Sequence, residues 1–366
     1  MSLTAGIVGL PNVGKSTLFN AITKAGVEAA NYPFATIDPN VGVVEVPDKR
    51  LNEITKLVQP KKTVPTTIEF TDIAGIVKGA SRGEGLGNKF LSHIRQVDAI
   101  CHVVRCFDDG NITHVSGKVD PISDIETINL ELILADLETI DKRIARVGKL
   151  ARTKDKDAVA EMEVLEKLKE ALENDQLANS VEFYDEQLPF VRNLFLLTRK
   201  KMLYVANIGE DEVTDSSDNP YLAQVRELAA TQGAEVVPVC ARLEEEIAEL
   251  DDEEKAVFLE DFGIEESGLD RLIQHVYSLL GLATYFTAGE QEVRACTFVN
   301  GMKAPHAAGA IHSDFERGFI RAETVSYDDL INYQSMSAAK ENGRVRSEGK
   351  EYVVQDGDIM LFRFNV

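Results

Sequence analysis

Residues 9–16 read GLPNVGKS and match the phosphate-loop pattern GxxxxGK[ST] at every fixed position. Glycines in such a loop let successive backbone N–H groups turn inward around a nucleotide β-phosphate, where a side chain would collide. Lys15 is placed to reach the β- and γ-phosphates, and Ser16 to offer its hydroxyl to Mg²⁺. The other loop residues that we expect to contact the nucleotide are Asn12, Val13, Gly14 and Thr17.

The sequence on either side of this loop predicts a strand and a helix. Residues 4–10 form a short apolar run of buried-strand length. Leu18, Phe19 and Ile22 then recur at helical spacing up to Gly26, a residue suited to a helix C-cap. The alternative is a glycine turn in an unrelated α/β fold. Strand, loop, Lys-Ser pair and helix together favour a nucleotide-binding α/β domain.

The composition is that of a globular protein with a large acidic excess. The chain has 366 residues, of which 44% are hydrophobic and 27% charged, and its formal net charge is −22. No global positive field attracts nucleic acid or an anionic membrane, so an RNA contact would need a local basic patch. The four cysteines form no CxxC pair, which favours free buried thiols over a metal site. With no signal peptide and no apolar run of membrane-spanning length, we expect a soluble cytoplasmic protein.

Two further stretches carry residues suited to a nucleotide switch. Thr36 lies in a turn-rich loop, where a threonine can complete the Mg²⁺ shell when the γ-phosphate is present. The stretch DIAG ends a strand-like run, so that Asp72 can hold a Mg²⁺-bound water and the Gly75 N–H can donate to the γ-phosphate. Ile76 follows, where many small GTPases have a glutamine that orients water. Either hydrolysis is slow or another residue does this work.

A histidine in the next loop is a candidate for that work. His114 lies in a polar, glycine-flanked loop after the strand predicted at residues 98–107. A histidine there could position water or stabilise charge near the phosphates. The alternative, an ordinary solvent-exposed loop histidine, is favoured by spacing alone. His102, inside the strand, is expected to be a packed histidine.

The stretch NIGE at residues 207–210 stands where GTP-specific relatives have NKxD. The aspartate of NKxD accepts both N–H groups on the pyrimidine edge of guanine, and the lysine stem packs along the base. Here Ile208 replaces the lysine and Glu210 the aspartate, and one extra methylene misplaces the carboxylate. Asn207 can offer a donor and an acceptor to adenine, and Phe107 is an apolar candidate to lie against the base. We therefore expect ATP to be preferred over GTP.

A helical segment interrupts the nucleotide-domain pattern after residue 121. Apolar residues recur at helical spacing on both sides of a charged turn at residues 152–157. This pattern predicts two amphipathic helices in an antiparallel, coiled-coil-like hairpin. The basic residues of its tip are either simply solvated or a contact for RNA or a partner; they are Lys149, Arg152, Lys154 and Lys156.

The rest of the chain predicts the domain boundaries. The acidic stretch 244–266 is expected to form solvated helix faces, and the short strands and turns after residue 280 indicate a compact α+β module. The predicted fold is an α/β P-loop NTPase domain of the Ras-like G type with a mostly parallel sheet. The predicted boundaries are residues 1–121 and 202–280 for the nucleotide-binding domain, 122–201 for the inserted helical hairpin and 281–366 for the C-terminal module.

Several of these motifs together resemble a known family. GLPNVGKST, DIAGIVKGASRGEGLGNKFL, the broken NIGE motif, the helical insert and the ending RVRSEGKEYVVQDGDIMLF look like the Obg-like ATPase family of translation-factor-related P-loop switch NTPases. The resemblance covers essentially the whole chain. It implies an OBG-type G domain with weak ATP hydrolysis, a coiled-coil arm, a C-terminal TGS domain of β-grasp type and association with the ribosome.

The resemblance also implies roles for single residues. The Mg²⁺ contacts of the family correspond to Ser16 and Thr36, and its base contacts to Asn207 and Ile208. The family lacks the catalytic glutamine, and its substitute corresponds to His114. The implied partners are ATP or ADP and the ribosome, with a possible RNA contact through the hairpin or the TGS-like module and no membrane.

The leading functional interpretation is a Mg²⁺-dependent ATPase with slow intrinsic hydrolysis. It would act as a nucleotide-dependent switch that binds the ribosome and modulates translation or a stress response. One alternative is a ribosome- or RNA-binding regulator whose nucleotide occupancy, and not its turnover, matters; Ile76 is its best support. Another is a GTPase of the same fold. A metabolic phosphotransferase is disfavoured because nothing in the sequence resembles an acceptor-substrate pocket.

Overall fold

The computed structural model describes residues 3–26, 40–73, 86–110, 112 and 117–365. The chain divides into two compact units. The first unit comprises residues 1–44 and 69–272, and the second comprises residues 45–68 and 273–366.

Regular elements account for most of the described chain. The strands are β1 (Thr4–Val8), β2 (Val41–Glu45), β3 (Lys62–Val64), β4 (Thr67–Asp72), β5 (Ala99–Arg105), β6 (Lys201–Asn207), β7 (Glu235–Val239), β8 (Leu282–Ala288), β9 (Glu292–Val299), β10 (Phe319–Ser326), β11 (Arg346–Glu348) and β12 (Asp358–Phe364). The helices are α1 (Lys15–Lys24), α2 (Lys49–Val58), α3 (Leu86–Gln96), α4 (Pro121–Ala151), α5 (Lys156–Glu173), α6 (Leu188–Arg192), α7 (Pro220–Gln232), α8 (Ala241–Ile247), α9 (Asp252–Phe262), α10 (Gly268–Leu279), α11 (Ala304–Ile311), α12 (Ser313–Arg317), α13 (Tyr327–Tyr333) and α14 (Met336–Glu341). Within the described ranges, no helix combines the length and the apolar character that crossing a lipid bilayer requires.

The first sheet has the strand order β2-β4-β1-β5-β6-β7. β1 pairs in parallel with β4 and β5, and β6 pairs in parallel with β5 and β7. Every residue of β5 is buried, as expected for a central strand covered on both faces. The register sets Ile7 beside Asp72 and Arg105 beside Asn207, so the carboxyl ends of these strands share one edge of the sheet. This edge is the usual ligand position in such sheets, and the predicted mostly parallel α/β fold is confirmed.

Helices α4 and α5 pack antiparallel within the first unit. Their apolar residues share one buried cluster. Arg143 donates to Glu161 at 2.6 Å, and Lys169 donates to Asp141 at 2.7 Å. From the first pair to the second, the residue number falls along α4 and rises along α5, which shows that the two helices run in opposite directions. The two predicted helices therefore lie on either side of a turn at residues 152–155. The coiled-coil character and the role of the basic tip stay predictions.

A buried carboxylate fixes the chain where it enters β6. Asp136 of α4 is 2% exposed. It accepts hydrogen bonds from the N–H groups of Leu197 and Thr198 and from the Thr198 hydroxyl, at 2.7–2.8 Å. Burial raises the pKa of this carboxyl. The three donors offset part of the cost of removing the carboxylate from water, so they hold α4 to the start of β6.

The second unit is built on a mixed sheet in the order β11-β10-β12-β8-β9-β3. β10 is antiparallel to β11 and β12, β8 is antiparallel to β9, and the pairs β12–β8 and β3–β9 are parallel. Successive residues Ile359 and Met360 of β12 enter different buried clusters, one shared with α2, α13 and α14 and the other with α11. Helices thus cover both faces of this sheet. The assignment of the module to the TGS and β-grasp types stays a prediction.

Residues 45–68 depart from the predicted domain boundaries. We expected them in the nucleotide-binding domain because they lie in sequence between two of its strands. Instead, Lys62–Val64 pairs with Glu292–Arg294, and Leu51 and Ile54 of α2 pack into a core of the second sheet. The pairing partner lies far away in sequence, so no local pattern reveals it.

The acidic stretch 244–266 contains one residue that the prediction misplaced. Glu244 of α8 is 3% exposed and accepts the N–H of Gly268 at 2.8 Å, at the start of α10. Burial raises the pKa of the Glu244 carboxyl. The prediction of a solvated face is therefore wrong for Glu244, because this side chain satisfies the first N–H of a helix instead.

Candidate nucleotide-binding site

The phosphate loop connects β1 to α1, as predicted. β1 ends at Val8 and α1 begins at Lys15. Asn12 has a φ of 64° and Gly14 a φ of 94°, both in the left-handed region. A Cβ on Gly14 would also collide with the side-chain amide of Asn207. Backbone conformation and close packing therefore both require glycine at position 14.

The first turn of α1 is suited to an anion. Among the described residues, no side chain caps this end of the helix, which leaves its first N–H groups available to phosphate oxygens. Ser16 is exposed and Thr17 is half-buried there. Val13 is 1% exposed, so it can offer its backbone and not its side chain to a nucleotide.

Lys15 and Asp72 form an ion pair at the edge of the sheet. The Nζ atom of Lys15 lies 2.5 Å from Oδ1 of Asp72, and the two side chains are 11% and 23% exposed. This pair joins the phosphate loop to the carboxyl end of β4. A lysine that would bind the phosphates and a carboxylate that would hold a Mg²⁺-bound water are expected close together, because both would act on the same phosphate groups. The geometry fits both predicted roles.

The side chain of Asn207 links three segments. It is 5% exposed and ends β6. Its Nδ2 donates to the carbonyl of Val13 at 2.9 Å, and its Oδ1 accepts the N–H of Ala241 at 3.0 Å. Among the residues that the structure describes, the second hydrogen of this amide nitrogen has no acceptor, so it fits the predicted contact with a nucleotide base. Asn207 thus ties the phosphate loop to the start of α8, which adds a structural role to the predicted base contact.

The rest of the NIGE motif forms a short turn beside this residue. Ile208 is 4% exposed, so its side chain packs inside the protein, whereas Glu210 is exposed. The turn is held by Glu212, whose Oε2 accepts the N–H of Gly209 at 3.1 Å and the side-chain amide of Asn219 at 2.8 Å. Of the two residues that differ from NKxD, Glu210 is the one that presents its side chain outward.

The loop after β5 is organised around Arg105. This residue is 1% exposed, and its guanidinium lies 4.8 Å from the centroid of the Phe107 ring. It donates to the carbonyl oxygens of Phe107 at 3.1 Å, Asp109 at 3.2 Å and Ile112 at 3.0 Å. Sequence reasoning did not single out Arg105. A charged residue inside an apolar strand is the signal that would have found it.

Burial keeps three neighbouring titratable groups neutral. It raises the pKa of the Cys106 thiol to about 12, raises the pKa of Cys240, and lowers the pKa of His102 to about 3. His102 is 0% exposed and is the packed histidine that the sequence predicted. None of these three groups supplies a thiolate or an imidazolium near neutral pH.

The described oxygen ligands fit a magnesium ion that is held largely by the nucleotide. The Ser16 hydroxyl and the Asp72 carboxylate are oxygen donors of the kind that Mg²⁺ prefers. Over the described ranges, no group of three or more His, Cys, Asp or Glu side chains could hold a metal ion. Mg²⁺ in nucleotide sites commonly uses one or two protein ligands together with phosphates and water.

The structure brings together only part of the predicted site. Lys15 contacts Asp72, and Asn207 contacts the loop at Val13. Thr36, Gly75 and His114 lie outside the described residues, so their roles stay predictions.

Comparisons with known proteins extend over the full chain. A family model described as a 50S ribosome-binding GTPase matches residues 4–156, and the YchF-GTPase_C model, described as a protein of unknown function, matches residues 282–365. The ribosome-binding ATPase YchF of Bacillus subtilis (strain 168) is 73% identical over 366 residues, and that of Escherichia coli O157:H7 is 58% identical over 366 residues; each match covers 100% of both chains. The solved structure of the Schizosaccharomyces pombe YchF GTPase matches with a TM-score of 0.87 at 39% identity, covering 99% of this chain and 98% of that chain. The chain therefore belongs to the YchF family of P-loop NTPases, as the resemblance predicted.

Proposed function

We propose that this chain is a Mg²⁺-dependent ATPase with slow intrinsic turnover that binds the ribosome as a nucleotide-dependent switch. The observation that carries the proposal is the side chain of Asn207, which joins the phosphate loop to the NIGE turn and to α8. Phosphate-binding and base-binding segments are thereby held as one site. The relatives in Bacillus subtilis and Escherichia coli are named ribosome-binding ATPases, which supports the ribosome as partner and hence a cytoplasmic site of action in translation or a stress response.

The proposed catalytic roles follow the chemistry of phosphoryl transfer. Lys15 and the loop N–H groups stabilise the charge of the phosphates, and Gly75 donates its N–H to the γ-phosphate. A bound Mg²⁺ would neutralise phosphate charge; the residues proposed to hold it are Ser16 and Thr36 through their hydroxyl groups and Asp72 through a Mg²⁺-bound water. His114 assists the attacking water, because Ile76 has no hydrogen-bonding group to do so.

The Schizosaccharomyces pombe relative is called a GTPase, so a GTPase of the same fold is the alternative to this proposal. The preference for ATP or GTP distinguishes the two. We expect the wild-type chain to bind ATP at least about tenfold more tightly than GTP, because Glu210 cannot place its carboxylate on guanine as an aspartate would. Glu210→Asp combined with Ile208→Lys should shift this ratio toward GTP by about tenfold. Equilibrium titration with non-hydrolysable ATP and GTP analogues in the presence of Mg²⁺ measures both ratios.

Two further variants make this test secure. Ile208 is 4% exposed, and a lysine there could disturb folding, so Glu210→Asp is also measured alone. Glu227→Asp makes the same side-chain change on the exposed face of α7 and should leave the ratio unchanged. A wild-type preference for GTP would contradict the ATPase proposal.

Interaction with the ribosome can be tested separately from nucleotide preference. We expect ribosomes to raise the rate of ATP turnover by at least about tenfold, since switch NTPases commonly need a partner to complete the catalytic site. Turnover is measured with and without ribosomes, and ribosome binding is measured by co-sedimentation with an ATP analogue and with ADP. Binding that depends on the nucleotide without any change in turnover would instead support a regulator that uses occupancy alone.

The basic turn between α4 and α5 is the proposed contact with ribosomal RNA or a partner. Its four basic residues are exposed in a chain of net charge −22; they are Lys149, Arg152, Lys154 and Lys156. Replacement of Arg152 and Lys154 by alanine should weaken ribosome binding in the same co-sedimentation assay. Unchanged binding would favour the C-terminal module as the contact.

A further inference from the structure

The β5 strand ends in a buried positive charge that a loop encloses. Arg105 is 1% exposed. Its guanidinium reaches three backbone carbonyl groups, those of Phe107, Asp109 and Ile112, at 3.0–3.2 Å. A guanidinium offers five N–H donors in a fixed planar fork, so one side chain can bind several carbonyl groups at once. These hydrogen bonds from Arg105 therefore fix the conformation of the loop backbone.

The Arg105 guanidinium and the three backbone carbonyl groups satisfy each other's hydrogen bonds. A buried guanidinium without acceptors would be costly, and buried carbonyl groups without donors would be costly as well. A lysine could not replace Arg105, because its ammonium is a single point donor that cannot span the same three acceptors. The loop conformation is thus specified by the side chain at position 105.

The loop begins at the predicted base-binding end of the sheet. Arg105 stands beside Asn207 in the register of β5 and β6, and the N–H of Cys106 donates to the carbonyl of Asn207 at 2.8 Å. The guanidinium covers one face of the Phe107 ring at 4.8 Å. Phe107 is half-buried, so its orientation is fixed by Arg105 from two directions, through its carbonyl oxygen and through its ring.

We propose that Arg105 is a positioning residue for nucleotide recognition: it orients Phe107 so that the ring lies against the base. The inference rests on the proposed function, because it requires a nucleotide in this site. Stacking of a base on an aromatic ring tolerates different bases, so Phe107 adds affinity, while the NIGE turn provides discrimination.

A double-mutant cycle tests the proposal. Binding of a non-hydrolysable ATP analogue is measured for the wild type, Arg105→Lys, Phe107→Ala and the double variant. We expect each single change to weaken binding by about tenfold and the double variant to be no weaker than the worse single variant, since both changes remove the same stacking contact. Independent effects, which would multiply to about a hundredfold, would overturn the proposal.

Two measurements keep the outcome interpretable. Asp136→Ala removes a different buried hydrogen-bonding side chain of the same unit; it should lower the melting temperature without changing analogue affinity. If Arg105→Lys does not fold, Phe107→Ala decides alone, because unchanged affinity in that variant excludes the ring as a base contact. Failure of the wild type to bind the analogue would count against the proposed function. If the wild type binds the analogue but the effects of Arg105→Lys and Phe107→Ala multiply in the double variant, only the role of Arg105 is contradicted.

Discussion

We expect Lys15→Met to lower ATP hydrolysis by a factor of about 10²–10³, as the loss of one charged group aimed at a developing phosphate charge typically does. Methionine keeps the unbranched stem of lysine but removes the ammonium that lies 2.5 Å from Asp72. The variant loses a phosphate contact and also leaves the Asp72 carboxylate without its cation. Single-turnover hydrolysis of labelled ATP measures the effect even where steady-state turnover is slow.

Helix α1 supplies a matched control for this change. Lys24 lies at the other end of the same helix and pairs with Glu249 at 2.6 Å, with its side chain 39% exposed. Lys24→Met should change hydrolysis by less than twofold and leave the urea midpoint of unfolding close to that of the wild type, because exposed ion pairs contribute little to stability. If Lys15→Met retains more than a tenth of the wild-type hydrolysis rate, Lys15 does not stabilise the phosphate charge as proposed.

The same assay separates the proposed water-assisting group from the phosphate-binding group. Removing a general base or a water-positioning side chain typically costs about 10²–10⁴-fold in the chemical step. His114→Ala should therefore lower hydrolysis while leaving affinity for an ATP analogue unchanged. Unchanged hydrolysis in this variant would remove His114 from the mechanism without affecting the roles of Lys15 and Ser16.

The phosphate loop could be predicted because its signals are local. The apolar run, the glycines, the Lys-Ser pair and the helical spacing after them lie within residues 4–26, and β1, the loop and α1 follow in that order. The residue types that mark the left-handed conformation at Gly14 and the strand-to-helix connection lie within this segment, so a pattern in one short segment predicts them; the packing of Gly14 against Asn207 is not among its signals.

The contacts that complete the site depend on strand register, which no local pattern contains. Asn207 meets Val13 and Ala241 only because β6 lies between β5 and β7 and ends level with the loop after β1. No sequence pattern pointed to Ala241, although its N–H is one of the groups that hold Asn207. Backbone N–H groups carry no residue-type signal, so their roles emerge only from the fold.

Buried charged side chains account for other features that the sequence did not predict. Arg105 and Glu244 are polar residues that the fold surrounds, and each serves backbone groups of a distant or irregular segment. Most arginine and glutamate side chains are exposed, so a prediction from residue type alone assigns such residues to the surface. Residues 45–68 were misassigned for a related reason: the short strand β3 pairs with β9, and three residues carry too little pattern to name a partner.

The loss of the Asn207 side chain should affect stability and nucleotide binding together. Asn207→Ala leaves the carbonyl of Val13 and the N–H of Ala241 unpaired at a position that is 5% exposed. Each unpaired buried group costs about 1–3 kcal/mol, so we expect the unfolding free energy to fall by about 2–5 kcal/mol. Because the phosphate loop loses its link to β6, affinity for an ATP analogue should fall by at least about tenfold.

A comparison among three variants distinguishes a local effect on the site from general loss of stability. Asp136→Ala removes three internal hydrogen bonds before the start of β6, about 20 Å from the end of the strand where Asn207 lies. It should match Asn207→Ala in urea denaturation while keeping wild-type affinity for the analogue. Asn207→Asp retains an acceptor for the Ala241 N–H but turns a carboxylate oxygen toward the carbonyl of Val13 and removes the amide donor proposed for the base, so it should lose affinity while the bond to Ala241 is kept. If both Asn207 variants bind the analogue as the wild type does, the side chain only supports the fold, and the phosphate loop keeps its conformation without it.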